Sequence, residues 1–172
     1  MSEKYDSRTI WFHWATALFI FCLWGLGQSI DFFPKGIPRI GARSLHITLG
    51  VVLTSIFVAR VYWRLTSGVK FLEPTPSLQT LLAKAMYFLL YLVITSVLLL
   101  GITAVWTRGD NIFGLIQISK FPTRHADLPE DMVDFHGLMA NILFLISLIH
   151  ASFGLWHHFH LKDHLLRRIL PN

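Results

Sequence analysis

Four of the nine histidines in this chain of 172 residues stand in long stretches almost free of charge. They are His13, His46, His136 and His150. An imidazole can ligate a metal through a ring nitrogen, or exchange a proton near neutral pH. Ionisable groups in apolar spans are expensive and usually serve a function. His136 and His150 are fourteen residues apart, nearly four helical turns, so on a helix they share one face at depths differing by about 21 Å. Each of the four is followed four residues later by a small residue: Ala17, Gly50, Ala140 and Gly154. On a helix that neighbour lies on the same face and leaves room beside the ring for a flat ligand. His125, His157, His158, His160 and His164 lack such a neighbour.

The elements that must position these residues are membrane spans. Apolar residues make up 53% of the chain and charged residues 15%, against about 25% charged in ordinary soluble chains. Mean hydropathy is +0.54. A soluble domain of this size leaves too much surface exposed to hide that composition. This excludes an ordinary soluble enzyme, a disordered tail and a disulfide scaffold. Four stretches, about 9–30, 45–63, 85–107 and 135–161, carry no acidic or basic residue except Arg60. Each can cross a hydrocarbon core roughly 30 Å thick as a helix. All seven prolines fall outside them, as uninterrupted helices require. The expected fold is all-α: an integral membrane four-helix bundle forming one domain over residues 1–172. The first stretch is expected to persist as a helix, because its apolar core is too long for a signal peptide and no clear small-x-small site follows.

Charge sets the expected orientation. The N-terminal tail, the 64–84 connection and the C-terminal tail, with Arg60, carry nine Lys or Arg and four acids. The connections at 31–44 and 108–134 carry six of each. Both termini are therefore expected in the cytoplasm. The formal net charge of +5 is read as this topology signal, and no nucleic-acid partner is expected. The lone Cys22 offers no internal disulfide, and the chain lacks the CxxCH attachment motif of a c-type haem.

With the helices antiparallel in sequence order, the four histidines sort into two level pairs. His46 and His136 lie toward the outer surface, and His13 and His150 toward the cytoplasm. Structural zinc normally takes four ligands in one place, and four buried polar residues bonded to neighbouring helices are the plainer alternative. Two histidines at each of two levels suit two six-coordinate haems better. Bis-His ligation fills both axial positions, which favours electron transfer over oxygen binding.

Other residues are placed by the same scheme. Arg60, Arg64 and Lys84 lie near the inner boundary, where they snorkel or pair with haem propionates. Arg108, in Trp106-Thr107-Arg108-Gly109-Asp110, lies at the outer end of the third span and either neutralises a propionate or anchors a capping turn. Trp11, Trp14, Trp63, Trp106 and Trp156 sit near span ends as an interfacial belt. His157 follows His150 by seven residues on the same face. It lies at the cytoplasmic boundary near His158, His160, Lys162, Asp163 and His164. There it belongs to a solvated helix end or moves a proton, as quinone reduction demands.

In these residues the chain resembles the bacterial cytochrome b561 family over almost its whole length. The matching features are His13-Trp14, His46 with Gly50, Thr107-Arg108-Gly109, His136, His150 and His157-His158 with Lys162-Asp163. The resemblance implies a four-helix inner-membrane protein with two b-type haems held by the four histidines. Compact members include a superoxide oxidase, which passes electrons from superoxide outside to ubiquinone near the cytoplasmic side. By that resemblance His157 and Lys162 sit near the quinone. Steering of a small anion by positive potential finds partial support. Lys35, Arg39 and Arg43 outnumber Asp31 in the first outer connection, whereas the second is net acidic. The alternative function is a membrane-anchor subunit relaying electrons from a dehydrogenase or hydrogenase partner; a haem-free scaffold is the third.

Overall fold

The computed structural model describes residues 4–67, 78–122, 127–162 and 166–170. Four long helices dominate it: α1 (Ser7–Ser29), α2 (Ile37–Thr66), α3 (Leu78–Arg108) and α4 (Leu128–Trp156). All four are long and apolar enough to cross a membrane, and the chain is an all-α membrane bundle. α2, α3 and α4 each start seven or eight residues before their charge-free stretches, because polar first turns stay helical once they reach the interface. Pro38 and Pro129 accordingly stand inside α2 and α4, in the first turn, where a missing N–H costs nothing. Glu130 and Asp131 share that turn of α4 and complement its positive end.

α1 packs along α2, and α3 along α4; the two hairpins touch each other far more sparingly. The buried core is one layer midway along the bundle: Ile20, Leu23, Leu53, Phe57, Val93, Ile94 and Leu143. Leu143 is seven residues from both His136 and His150, Ile20 seven from His13, and Leu53 seven from His46. The layer therefore separates the two histidine levels. On the flank, Trp24 Nε1 and Gln28 Nε2 both donate to Asn141 Oδ1, at 2.9 and 3.2 Å, which ties α1 to α4.

At the end bearing the chain termini, Asp6 caps α1 by accepting from Thr9 N at 2.9 Å and Thr9 Oγ1 at 2.6 Å. It also accepts from Trp63 Nε1 of α2 at 3.1 Å, and the Arg8 guanidinium lies over the Trp63 ring. The C-terminal segment crosses here, with Trp14 Nε1 donating to the Ile169 carbonyl at 2.8 Å. Asp6→Ala is expected to destabilise the bundle by about 1–2 kcal/mol, seen as a lowered thermal midpoint in detergent without loss of the helical spectrum.

The opposite end departs from the helical expectation. After α3 the chain makes a small antiparallel ladder, β1 (Asn111–Ile112) with β2 (Ile116–Gln117). Gly109 ends α3 at φ +66°, and a Cβ there would stand 2.8 Å from Lys120 Cβ, so only glycine fits this exit. The ladder latches onto α2 through Ser44, which is 1% exposed. Ser44 Oγ accepts from Phe113 N at 2.9 Å and donates to Asn111 O at 3.4 Å.

Candidate functional site

Consecutive antiparallel helices bring the four span histidines together in two pairs. His46 of α2 faces His136 of α4, with ring centres 6.1 Å apart and planes at 89°. His13 of α1 faces His150 of α4 at 6.4 Å and 63°. The first pair lies at the end carrying the β-ladder, the hairpin end; the second lies at the terminus end.

The spacing discriminates between chemistries. Two imidazoles sharing a direct hydrogen bond of about 2.9 Å would bring their ring centres to roughly 5 Å. One metal atom held end-on between two ring nitrogens, at about 2.0 Å from each, would set the centres roughly 6.2 Å apart. Both pairs match the second distance. Among the described residues no third His, Cys, Asp or Glu joins either pair. Each level thus offers two nitrogen donors, the complement of a macrocycle that brings its own four.

Ring orientation supports the same fit. His136 Nδ1 lies 3.0 Å from the Val97 carbonyl oxygen of α3. A carbonyl only accepts, so the ring hydrogen sits on Nδ1 and the Nε2 lone pair is left for a metal. His46 Nδ1 is buried and has no hydrogen-bond partner among the described residues. Beside the rings, an added Cβ would meet nothing within 4 Å at Gly50 and Gly154, which leaves the room that the intrahelical spacing suggested. The glycines that touch imidazoles are others. A Cβ on Gly27 would approach His46 Cε1 to 3.2 Å, and one on Gly101 would approach His136 Cε1 to 3.0 Å. Sequence reasoning missed both because it searched along each histidine's own helix; the contacts come from α1 and α3.

The charged residues fall unevenly. Arg60 is half-buried, with its guanidinium 5.4 Å from the Tyr91 ring centre. Among the described residues no carboxylate pairs with it. Arg64 stands in the last turn of α2. Arg108 is engaged at the hairpin end: its Nε lies 3.9 Å from Asp110 Oδ1, and Arg43 Nη1 lies 3.6 Å from the same oxygen. Arg39 closes the α1–α2 loop on the Phe33 and Asp31 carbonyls and lies 3.5 Å from the Asp31 carboxylate. Three of the hairpin-end cations, Arg39, Arg43 and Arg108, thus face acids of their own end.

His157 is half-buried and opens a wider turn, His157–Leu161, wound with π-type bonds. That turn includes His158 and His160, and His160 stacks on Trp156 with ring centres 4.0 Å apart. Lys162 is exposed and ends the turn at φ 54°. His125, Asp163 and His164 lie outside the described residues.

The family model for prokaryotic cytochrome b561 matches residues 4–172. A Yersinia pestis protein named probable superoxide oxidase CybB is 26% identical over 99% of this chain and 98% of its own. Cytochrome b561 homolog 1 of Escherichia coli K12 is 26% identical over 98% of each chain. Cytochrome b562 of Cereibacter sphaeroides is 28% identical over 96% of this chain and 94% of its own.

Proposed function

This chain belongs to the prokaryotic cytochrome b561 family, and from that membership, which makes it a multi-pass membrane cytochrome b of the bacterial inner membrane, we propose that it is a two-haem superoxide:quinone oxidoreductase. The observation that carries the proposal is the pair of imidazole pairs, at 6.1 and 6.4 Å, on either side of one packed layer. His46 and His136 would hold one haem b, and His13 and His150 the other. When bound, haem b supplies reversible one-electron chemistry between ferric and ferrous iron.

The protein's own residues divide the work by end. At the hairpin end, Lys35, Arg39 and Arg43 outnumber Asp31 across 31–44, so an approaching anion would be steered to that side, away from the net acidic 108–134 connection. Two superoxide ions each give up one electron there and leave as dioxygen. At the terminus end, one quinone takes two electrons and two protons to become quinol. His157 is placed to pass protons, and Lys162 to hold a quinone oxygen, at that boundary. Arg60 is the proposed partner of a propionate at the same level; Arg64 and Arg108 are weaker candidates for that role. With both termini cytoplasmic, superoxide is consumed on the periplasmic side and ubiquinone is reduced near the cytoplasm.

The test is turnover by the detergent-purified protein alone, supplied with a superoxide source and a soluble ubiquinone analogue. Quinol formation at one per two superoxide consumed is the expected result. A second reading, an anchor subunit relaying electrons from a dehydrogenase or hydrogenase, rests on the apolar side chains at the hairpin end: Phe32 is 88% exposed, Ile37 86% and Leu115 86%. Haem reduction by a copurifying protein, with none by superoxide, would establish that reading instead.

A further inference from the structure

At the hairpin end both imidazoles are seated against a neighbouring helix in the same manner. His136 meets α3 at Val97 and Gly101. Its Nδ1 lies 3.0 Å from the Val97 oxygen, and a Cβ on Gly101 would stand 3.0 Å from Cε1 and 3.3 Å from Nδ1. His46 meets α1 at Leu23 and Gly27. The Leu23 carbonyl faces the ring but falls outside hydrogen-bond geometry, and a Cβ on Gly27 would stand 3.2 Å from Cε1 and 3.6 Å from Nδ1. In both places the glycine follows the carbonyl residue by four positions, one turn along the same helix face. The bare Cα forms a notch for each ring, and through it His136 reaches the carbonyl one turn below. None of the described glycines contacts His13 or His150 in this way.

We propose that Gly27 and Gly101 are positioning residues: their notches fix the ring planes of His46 and His136, the Gly101 notch also fixes the His136 tautomer by admitting the ring to the Val97 carbonyl, and together they set the reduction potential of the haem at the hairpin end alone. The inference rests on the two-haem reading of the site. An imidazole that donates its second N–H to a carbonyl is a more basic ligand. It stabilises ferric over ferrous iron, so losing that bond raises the potential. The notches belong to different helices, α1 and α3, and hold the two planes crossed at 89°. Gly101 makes the tighter contact and accompanies the formed hydrogen bond, so it carries the larger effect.

The test compares the full-length, haem-loaded protein with Gly101→Ala, Gly27→Ala and Gly25→Ala. Potentiometry and low-spin electron paramagnetic resonance resolve the haems, and the loss seen in His136→Ala identifies the hairpin-end one. In Gly101→Ala that haem is expected to shift to higher potential, to change its resonance signal, and to be retained roughly 10-fold less tightly. The other haem keeps its potential and signal. Gly27→Ala moves the same haem by less. Gly25→Ala moves neither, because an added Cβ there meets nothing within 4 Å. Unchanged potentials in Gly101→Ala, equal shifts of both haems, or a shift of the haem that His150→Ala removes would overturn the proposal. If Gly101→Ala yields no folded protein, Gly27→Ala decides by the same readout, with an unshifted hairpin-end potential as the overturning result. An unmodified protein lacking the haem that His136→Ala should remove overturns the two-haem reading itself, a result separate from any glycine variant.

Discussion

His136→Ala is expected to lower the haem content of the purified protein from two per chain to one, and His150→Ala to do the same with the other haem retained. The reason is geometric. Both residues stand on α4 fourteen positions apart, about 21 Å along the helix, and each faces a different partner ring. Removing one imidazole leaves a single axial donor at its level and leaves the other level's pair intact across the layer around Leu143. Pyridine haemochrome assay of the two variants checks the number. Their reduced spectra should differ and should sum to that of the unmodified protein. A variant that retained two haems would refute the pairing.

The same two variants are expected to separate the two half-reactions. His150→Ala retains the hairpin-end pair and should still be reduced by superoxide, while quinol formation falls to the uncatalysed background. His136→Ala retains the terminus-end pair and should be reduced by added quinol, while its response to superoxide is lost. Stopped-flow absorbance with each reductant measures both. Reversal of this pattern would mean that the donor works at the terminus end, and loss of both responses in both variants would mean that neither level reacts by itself.

The residues that carried the sequence reading did so because helical geometry converts spacing into position. A separation of fourteen between His136 and His150, on a helix with no charged residue between them, fixes face and depth together, and antiparallel connectivity then leaves one partner at each level. The four spans were legible but their starts were not: α2 begins eight residues before 45, and α3 and α4 begin seven before 85 and 135, because charge and proline mark where hydrocarbon stops but not where helix stops. The ladder at 111–117 was not legible. Its strands have two residues each, too few for an alternating pattern, and it is held by Ser44 from a distant helix. Gly27 and Gly101 were invisible for a related reason. Whether a glycine is needed depends on which ring comes down on it from another helix, and spacing within one helix carries no trace of that.

The layer of Ile20, Leu23, Leu53, Phe57, Val93, Ile94 and Leu143 has a consequence beyond packing. Its seven buried side chains carry no titratable group, the Tyr91 phenol packing at its edge, and in the proposed function electrons cross this depth while protons are taken up at the terminus end. The protein then works as an electrical element, and its driving force includes the voltage across the bilayer. In the orientation proposed, an electron carried from the hairpin end to the terminus end moves against an inside-negative membrane potential, at a cost approaching about 2.3 kcal/mol per 100 mV for a full crossing. An energised membrane would hold this traffic back, and a depolarised one would release it.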